Sequence, residues 1–277
     1  MLNLYLHSSV GRRPRGNVAR LLSTDVLLFL LVLGLLYPTM PAYATASRSE
    51  PAARLAQGFT FPLSETFMGS SAPGWVLGGT ARLTSGNPDP TGDGWLRLTN
   101  NTTNQAGYAY YNTPIPTGRG LVITFDYAAW GGTGADGLSF FLFDGATTAF
   151  NVGGYGGSLG YAQRSGIRGL SGGYLGLGLD EFGNYSNPTE GRVGGPGFIK
   201  NAVAVRGPGS GTTGYAYLAG TTNLTQAPWN LPRLDCSRNF VGFTNIGITN
   251  GNCGSGASRP ASTIYYRQVR ITVTPVG

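Results

Sequence analysis

Histidine is almost absent from this chain of 277 residues, since His7 is its only one. His7 lies in an N-terminal segment that has the features of a removable leader, so the rest of the chain has no histidine. That excludes Ser-His-Asp and Cys-His catalysis, histidine general bases and histidine-ligated zinc. Any acid–base chemistry would fall to carboxylates.

Charge is also scarce, at 11% of residues, and the net charge is +7. Lys200 is the only lysine, and the arginines are spread along the chain except for a local group at Arg12, Arg13, Arg15 and Arg20. A nucleic-acid surface needs basic residues clustered on one face. We therefore expect no nucleic-acid binding.

Apolar runs long enough to cross a bilayer are missing, because the run Val26–Tyr37 has twelve residues and a spanning helix needs about 20. This run follows the arginine group and precedes the small-residue pattern Ala42-Tyr43-Ala44. Such an order predicts a signal peptide over residues 1–44, cleaved after Ala44 or Ala46, with an uncleaved anchor as the alternative. We expect a secreted, periplasmic or cell-surface protein with a linker at 45–58 and one domain at 59–277.

Cysteine occurs twice, at Cys236 and Cys253. Two cysteines in an exported chain are expected to form one disulfide. The absence of a nearby histidine or further cysteine argues against zinc.

Glycine is abundant, at 46 residues, and separates short apolar segments. This spacing is typical of antiparallel strands joined by tight turns, and no amphipathic helix is evident. We expect an all-β, two-sheet antiparallel β-sandwich. The predicted strands are Trp95–Leu98, Tyr108–Tyr111, Leu121–Tyr127, Leu138–Phe143, Leu175–Leu179, Ala202–Arg206 and Ile264–Val273, with weaker signals at Gly214–Leu218 and Val241–Ile246.

Three motifs follow one another in an informative order. They are Ala135-Asp136-Gly137 before a Phe-rich strand, Gly156-Gly157-Ser158-Leu159-Gly160, and the strand end Asp180-Glu181-Phe182-Gly183-Asn184. Together they resemble the L-type (legume-like) lectins, in bacterial exported versions, over residues 59–206. The resemblance implies a concanavalin A-like jelly roll and binding of glycans or polysaccharide.

The resemblance also implies roles for individual residues. Asp136 would accept hydrogen bonds from sugar hydroxyls, and the amide of Asn184 would both donate and accept. Gly157 would let the sugar approach the backbone, since it has no side chain. Phe182 would cover the apolar face of the sugar, with Tyr155 as a neighbour.

Calcium orders these loops in the family. The matching oxygen ligands are those of Asp180, the Phe182 carbonyl and Asn184. Pro188 stands at the spacing of the fourth ligand, so Glu190 or Asn187 would have to replace it. We expect no second, transition-metal site, because Gly178 occupies its glutamate position and its histidine is missing.

Catalysis is not expected. Glycanases of a related fold carry a Glu-x-Asp-x-x-Glu strand motif, and here Gly178 and Gly183 stand in place of both glutamates. The remaining carboxylate pair, Asp180 and Glu181, would point to opposite faces of a strand. A structural or adhesive module without a sugar site stays open as the main alternative, and an enzyme as a weaker one.

Residues 207–262 are hard to interpret. On one reading, Val241–Gly251 is a late strand and loop of the family, and Ile264–Val273 closes the sandwich. On the other, residues 207–262 are an insertion and the sandwich lacks its C-terminal strands.

Overall fold

A computed structural model describes residues 60–100, 102–129, 135–224, 231–234, 240–244 and 266–275. The predicted signal peptide (1–44), the predicted linker (45–58) and the predicted disulfide between Cys236 and Cys253 lie outside the described residues. In the part of the chain that is described, no helix is long and apolar enough to cross a membrane.

The protein is all-β, and its paired strands are antiparallel. In chain order the strands are β1 (Trp75–Gly79), β2 (Arg82–Leu83), β3 (Leu96–Arg97), β4 (Gly107–Tyr111), β5 (Leu121–Ala128), β6 (Gly137–Phe143), β7 (Gly173–Asp180), β8 (Ala202–Arg206), β9 (Gly209–Ser210), β10 (Thr213–Gly214), β11 (Tyr217–Gly220), β12 (Leu231–Leu234), β13 (Phe240–Thr244) and β14 (Tyr266–Val273), with a 3₁₀ turn at Gly156–Ser158.

Two layers form the sandwich. A four-stranded sheet has the order β11-β8-β7-β6, and β5 pairs with β14 over their full length. Apolar side chains from both layers meet in one core, where Phe125 of β5 stacks on Phe140 of β6 at 5.6 Å between ring centroids. The buried members of this core are Leu175, Leu177, Leu179, Val205 and Ile271.

The other face of the four-stranded sheet is also buried, because loops fold back over it. Gly176 and Gly178 of β7 alternate with the core leucines and so lie on this face. A Cβ atom on Gly176 would come within 2.2 Å of the Tyr161 ring, and one on Gly178 within 2.2 Å of the Tyr185 ring. These glycines therefore provide the bare strand surface on which two fully buried tyrosines pack.

β1 and β4 form a separate two-stranded sheet, and the pairs β2–β3, β9–β10 and β12–β13 are further short ladders among the described residues. Tyr110 of β4 stacks on Phe150, with ring centroids 4.1 Å apart, and Phe150 packs on Phe143 of β6. Between β4, β5 and β6 runs an open groove of about 1900 Å³.

The expected all-β fold is confirmed, and Ala202–Arg206 is a strand with the predicted bounds. β1 was not predicted from the sequence, because it ends in two glycines, which are typical of turns. Its pairing with β4 stabilises the strand. Within 207–262 the structure has β9 to β13, and β14 pairs with β5. The jelly-roll topology and the choice between the two readings of this region stay predictions.

The glycine–tyrosine packing gives a stability prediction. Gly176→Ala should lower the free energy of unfolding by about 1–3 kcal/mol, because its Cβ would overlap the Tyr161 ring in a packed interior. Urea denaturation measures the change. The control is Gly118→Ala, since nothing lies within 4 Å of the added atom there. An equal loss in both variants would contradict the packing explanation.

Candidate functional site

The predicted site residues meet at one end of the four-stranded sheet. Asp136 immediately precedes β6, and Gly137 lies opposite Asp180, the last residue of β7. The Asp136 carbonyl accepts hydrogen bonds from the backbone N–H groups of Glu181 (3.2 Å) and Phe182 (3.0 Å). The first and third motifs are therefore tied together through the backbone.

The second motif joins them through the 3₁₀ turn. Ser139 of β6 donates a hydrogen bond to the Leu159 carbonyl at 2.6 Å, which fixes the turn beside β6. A Cβ atom built on Gly157 would lie 2.3 Å from the Cβ of Asn184. Gly157 and Asn184 are thus in direct contact.

That contact changes the interpretation of Gly157. The resemblance to L-type lectins implies that the missing side chain of Gly157 lets a sugar approach, but Gly157 is buried and Asn184 occupies that space. Within this structure the glycine is needed so that Asn184 can pack beside the turn. Asn184 itself remains partly exposed.

Aromatic rings lie at the surface near these loops. Phe182 packs edge-to-face with Phe198 at 5.3 Å, and Phe198 is 47% exposed. The Lys200 ammonium lies 5.8 Å from both rings. Tyr155 is 57% exposed, and the Arg164 guanidinium covers one face of its ring at 4.5 Å.

Asp136 is a half-buried carboxylate whose charge interacts with those of Arg164, Arg192 and Glu190. Burial raises its pKa, while the positive charges of Arg164 and Arg192 act in the opposite direction. It also lines the large groove, together with Tyr155 and Glu181. A partly dehydrated carboxylate of this kind is a strong acceptor for hydroxyl donors.

Asp180 is directed inward and organises the turn after β7. It is 1% exposed, and its two oxygens accept the N–H groups of Gly183 (2.8 Å) and Tyr185 (2.7 Å). Burial raises the pKa of Asp180 to about 6, although the two backbone hydrogen bonds favour the ionised form.

Glu190 forms two ion pairs. Its Oε1 accepts from Nε (3.1 Å) and Nη2 (3.0 Å) of Arg164, and its Oε2 accepts from Nη1 of Arg192 (2.9 Å). These hydrogen bonds lower the pKa of Glu190. Arg192 has a fully buried side chain.

The expected calcium ligands do not fit an ion in this arrangement. The oxygens of Asp180 are occupied by backbone N–H groups, and those of Glu190 by guanidinium groups. Across the described ranges, no group of three or more His, Cys, Asp or Glu side chains could hold a metal. Calcium binding by this chain stays a prediction.

The sequence reading missed the arginines that surround these loops. Arg206, at the end of β8, is fully buried and donates to the carbonyls of Tyr185, Val193 and Tyr215 at 2.7–2.9 Å. Arg206 ends the apolar strand AVAVR, and this position could have indicated a buried arginine that needs acceptors from nearby loops. Nothing in the sequence pattern marked Arg192.

In comparisons with known proteins, no family model and no curated protein sequence matches this chain.

The burial of Asp180 predicts a pH dependence. Its pKa of about 6 in the fold lies above the value of about 3.9 in an unfolded chain, so the folded state holds the proton more tightly. The contribution of Asp180 to stability is therefore full below pH 4 and is lost as the pH rises through 6, by about 3 kcal/mol at most. Unfolding free energies of the wild type and Asp180→Asn at pH 4 and pH 7 measure it. Between pH 4 and pH 7 the wild type should lose more unfolding free energy than Asp180→Asn. A smaller loss in the wild type would contradict the raised pKa of Asp180.

Proposed function

We propose that this chain is an exported lectin that binds glycans at the end of β6 and β7 without altering them. The observation that supports this most is the convergence of three separated motifs at one end of the sheet, where adjoining loops carry a carboxylate (Asp136), an amide (Asn184) and two partly exposed aromatic rings (Phe182 and Tyr155). These motifs are the same ones that resemble the L-type lectins.

The chemistry of the site suits a sugar. Each hydroxyl donates and accepts, so the Asp136 carboxylate would accept from two hydroxyls and the Asn184 amide would do both. Phe182 and Tyr155 offer apolar ring surface for the C–H face of a pyranose. All four side chains have some solvent exposure, as a binding site requires.

A structural module is the second candidate, and one observation favours it. Gly157 packs against Asn184, and Glu190 is fully paired, so both residues have internal roles that need no ligand. In that case Asp136 would be only a turn residue before β6.

A glycan-array screen of the purified chain, in calcium and in EDTA, separates these candidates. Binding to a restricted set of glycans supports the lectin. Loss of that binding in EDTA would support calcium, and binding in both buffers would leave the ion without a role. A folded chain that binds no glycan contradicts the proposal, and release of sugar product from a polysaccharide would indicate an enzyme.

Asp136 provides the sharpest variant. Asp136→Ala should weaken binding of the best array ligand about 10- to 100-fold, because the loss of even one charge-assisted hydrogen bond costs about 1.5–3 kcal/mol. The matched control is Asp144→Ala, since Asp144 follows β6 at its other end and is exposed. Calorimetric titration should show near wild-type affinity for the control. Equal affinity of both variants would remove Asp136 from the site.

A further inference from the structure

Arg192 has an environment that is unusual for an arginine in a loop. Its side chain is fully buried, and it donates to four different oxygen atoms. These acceptors are the Asn187 carbonyl (3.0 Å), Ser158 Oγ (3.1 Å), Glu190 Oε2 (2.9 Å) and Thr189 Oγ1 (3.0 Å).

The four acceptors come from two separate parts of the chain. Ser158 belongs to the 3₁₀ turn, whereas Asn187, Thr189 and Glu190 belong to the loop that follows β7. Glu190 extends the connection, because its other oxygen pairs with Arg164 and its carbonyl accepts the Ser165 N–H at 2.6 Å. One guanidinium therefore joins the turn to the loop.

This set of acceptors resembles the environment of a hard cation. Calcium is held by six to eight oxygens at about 2.3–2.6 Å, drawn from carboxylates, carbonyls and hydroxyl or water oxygens. Here carboxylate, carbonyl and hydroxyl oxygens instead surround a planar cation, at hydrogen-bond distances. A buried guanidinium supplies a permanent charge and several directed donors, so it can bring such oxygens together without a metal.

We propose that Arg192 is a positioning residue that serves as the internal cation of the loop 183–192, so that this loop is ordered without calcium. Its Nη1 lies 3.4 Å from the Cβ position of Gly157, directly beside the Gly157–Asn184 contact. Arg192 thereby fixes Asn184 against the turn. This role does not depend on whether the site binds a glycan.

Amide hydrogen exchange of the full chain tests the proposal without any ligand. In the wild type, millimolar calcium and EDTA should give the same protection of residues 183–192 within about twofold. Arg192→Ala should lower protection there by about tenfold or more, because several buried acceptors lose their donor, while β7 should stay protected. Arg192→Lys should give amide protection between that of the wild type and that of Arg192→Ala, since an ammonium keeps the charge but lacks the planar arrangement of donors.

The control is Arg168→Ala, which removes an exposed arginine and should leave the loop unchanged. Equal protection in Arg192→Ala and the wild type would overturn the proposal, and so would a tenfold gain of loop protection on adding calcium. A loss spread evenly over β7 and the loop would also overturn it, since it would indicate general destabilisation.

If Arg192→Ala does not fold, the proposal is still tested by the wild type in calcium and in EDTA and by the variant Glu190→Gln. The comparison of calcium with EDTA needs only the wild type. Glu190→Gln weakens the hydrogen bond that Arg192 donates to residue 190, and it should lower the amide protection of residues 183–192 about threefold. Unchanged protection of these residues in both buffers would contradict the proposal. Because no glycan is present, failure of glycan binding would be recognised separately.

Discussion

The packing of Tyr161 and Tyr185 onto the bare glycines of β7 is the contact on which the rest of this structure depends. It allows the four-stranded sheet to be buried on both faces, by the β5–β14 layer on one side and by loops on the other. The same loops carry the candidate site. The Tyr161 hydroxyl donates to the Gly207 carbonyl at 2.9 Å, and its backbone N–H donates to the Ser158 carbonyl at 2.9 Å, so a change in this packing would act directly on the 3₁₀ turn.

Buried guanidinium groups provide the second level of order. Arg206 holds the carbonyls of the loops that cover the sheet, and Arg192 holds the loop after β7 against the 3₁₀ turn. Transferring a charged group from water into the protein interior is costly, so a buried guanidinium is stable only where several acceptors surround it. In this structure the loops beside the candidate site are therefore cross-linked by two buried guanidinium groups.

The fold class could be predicted from sequence, because alternation of apolar residues and turn glycines is a local pattern; Leu121–Tyr127 and Leu138–Phe143 are examples. The convergence of Asp136, Phe182 and Asn184 could be predicted only through a family resemblance. The roles of Gly176 and Gly157 could not, since a glycine that receives a distant side chain looks the same in sequence as a turn glycine. The partners of Glu190 could not be predicted either, because its pairing with Arg164 depends on how two separate loops meet.

The central claim is that these loops form one glycan site at the end of β6 and β7. Hydrogen exchange of the full chain, with and without a saturating glycan found by screening, tests it most directly. The account predicts that the glycan protects amides within 135–138, 155–159 and 181–187 and leaves β1 and β4 unchanged. Protection confined to the β1–β4 layer, or spread along the groove away from Asp136, would contradict it.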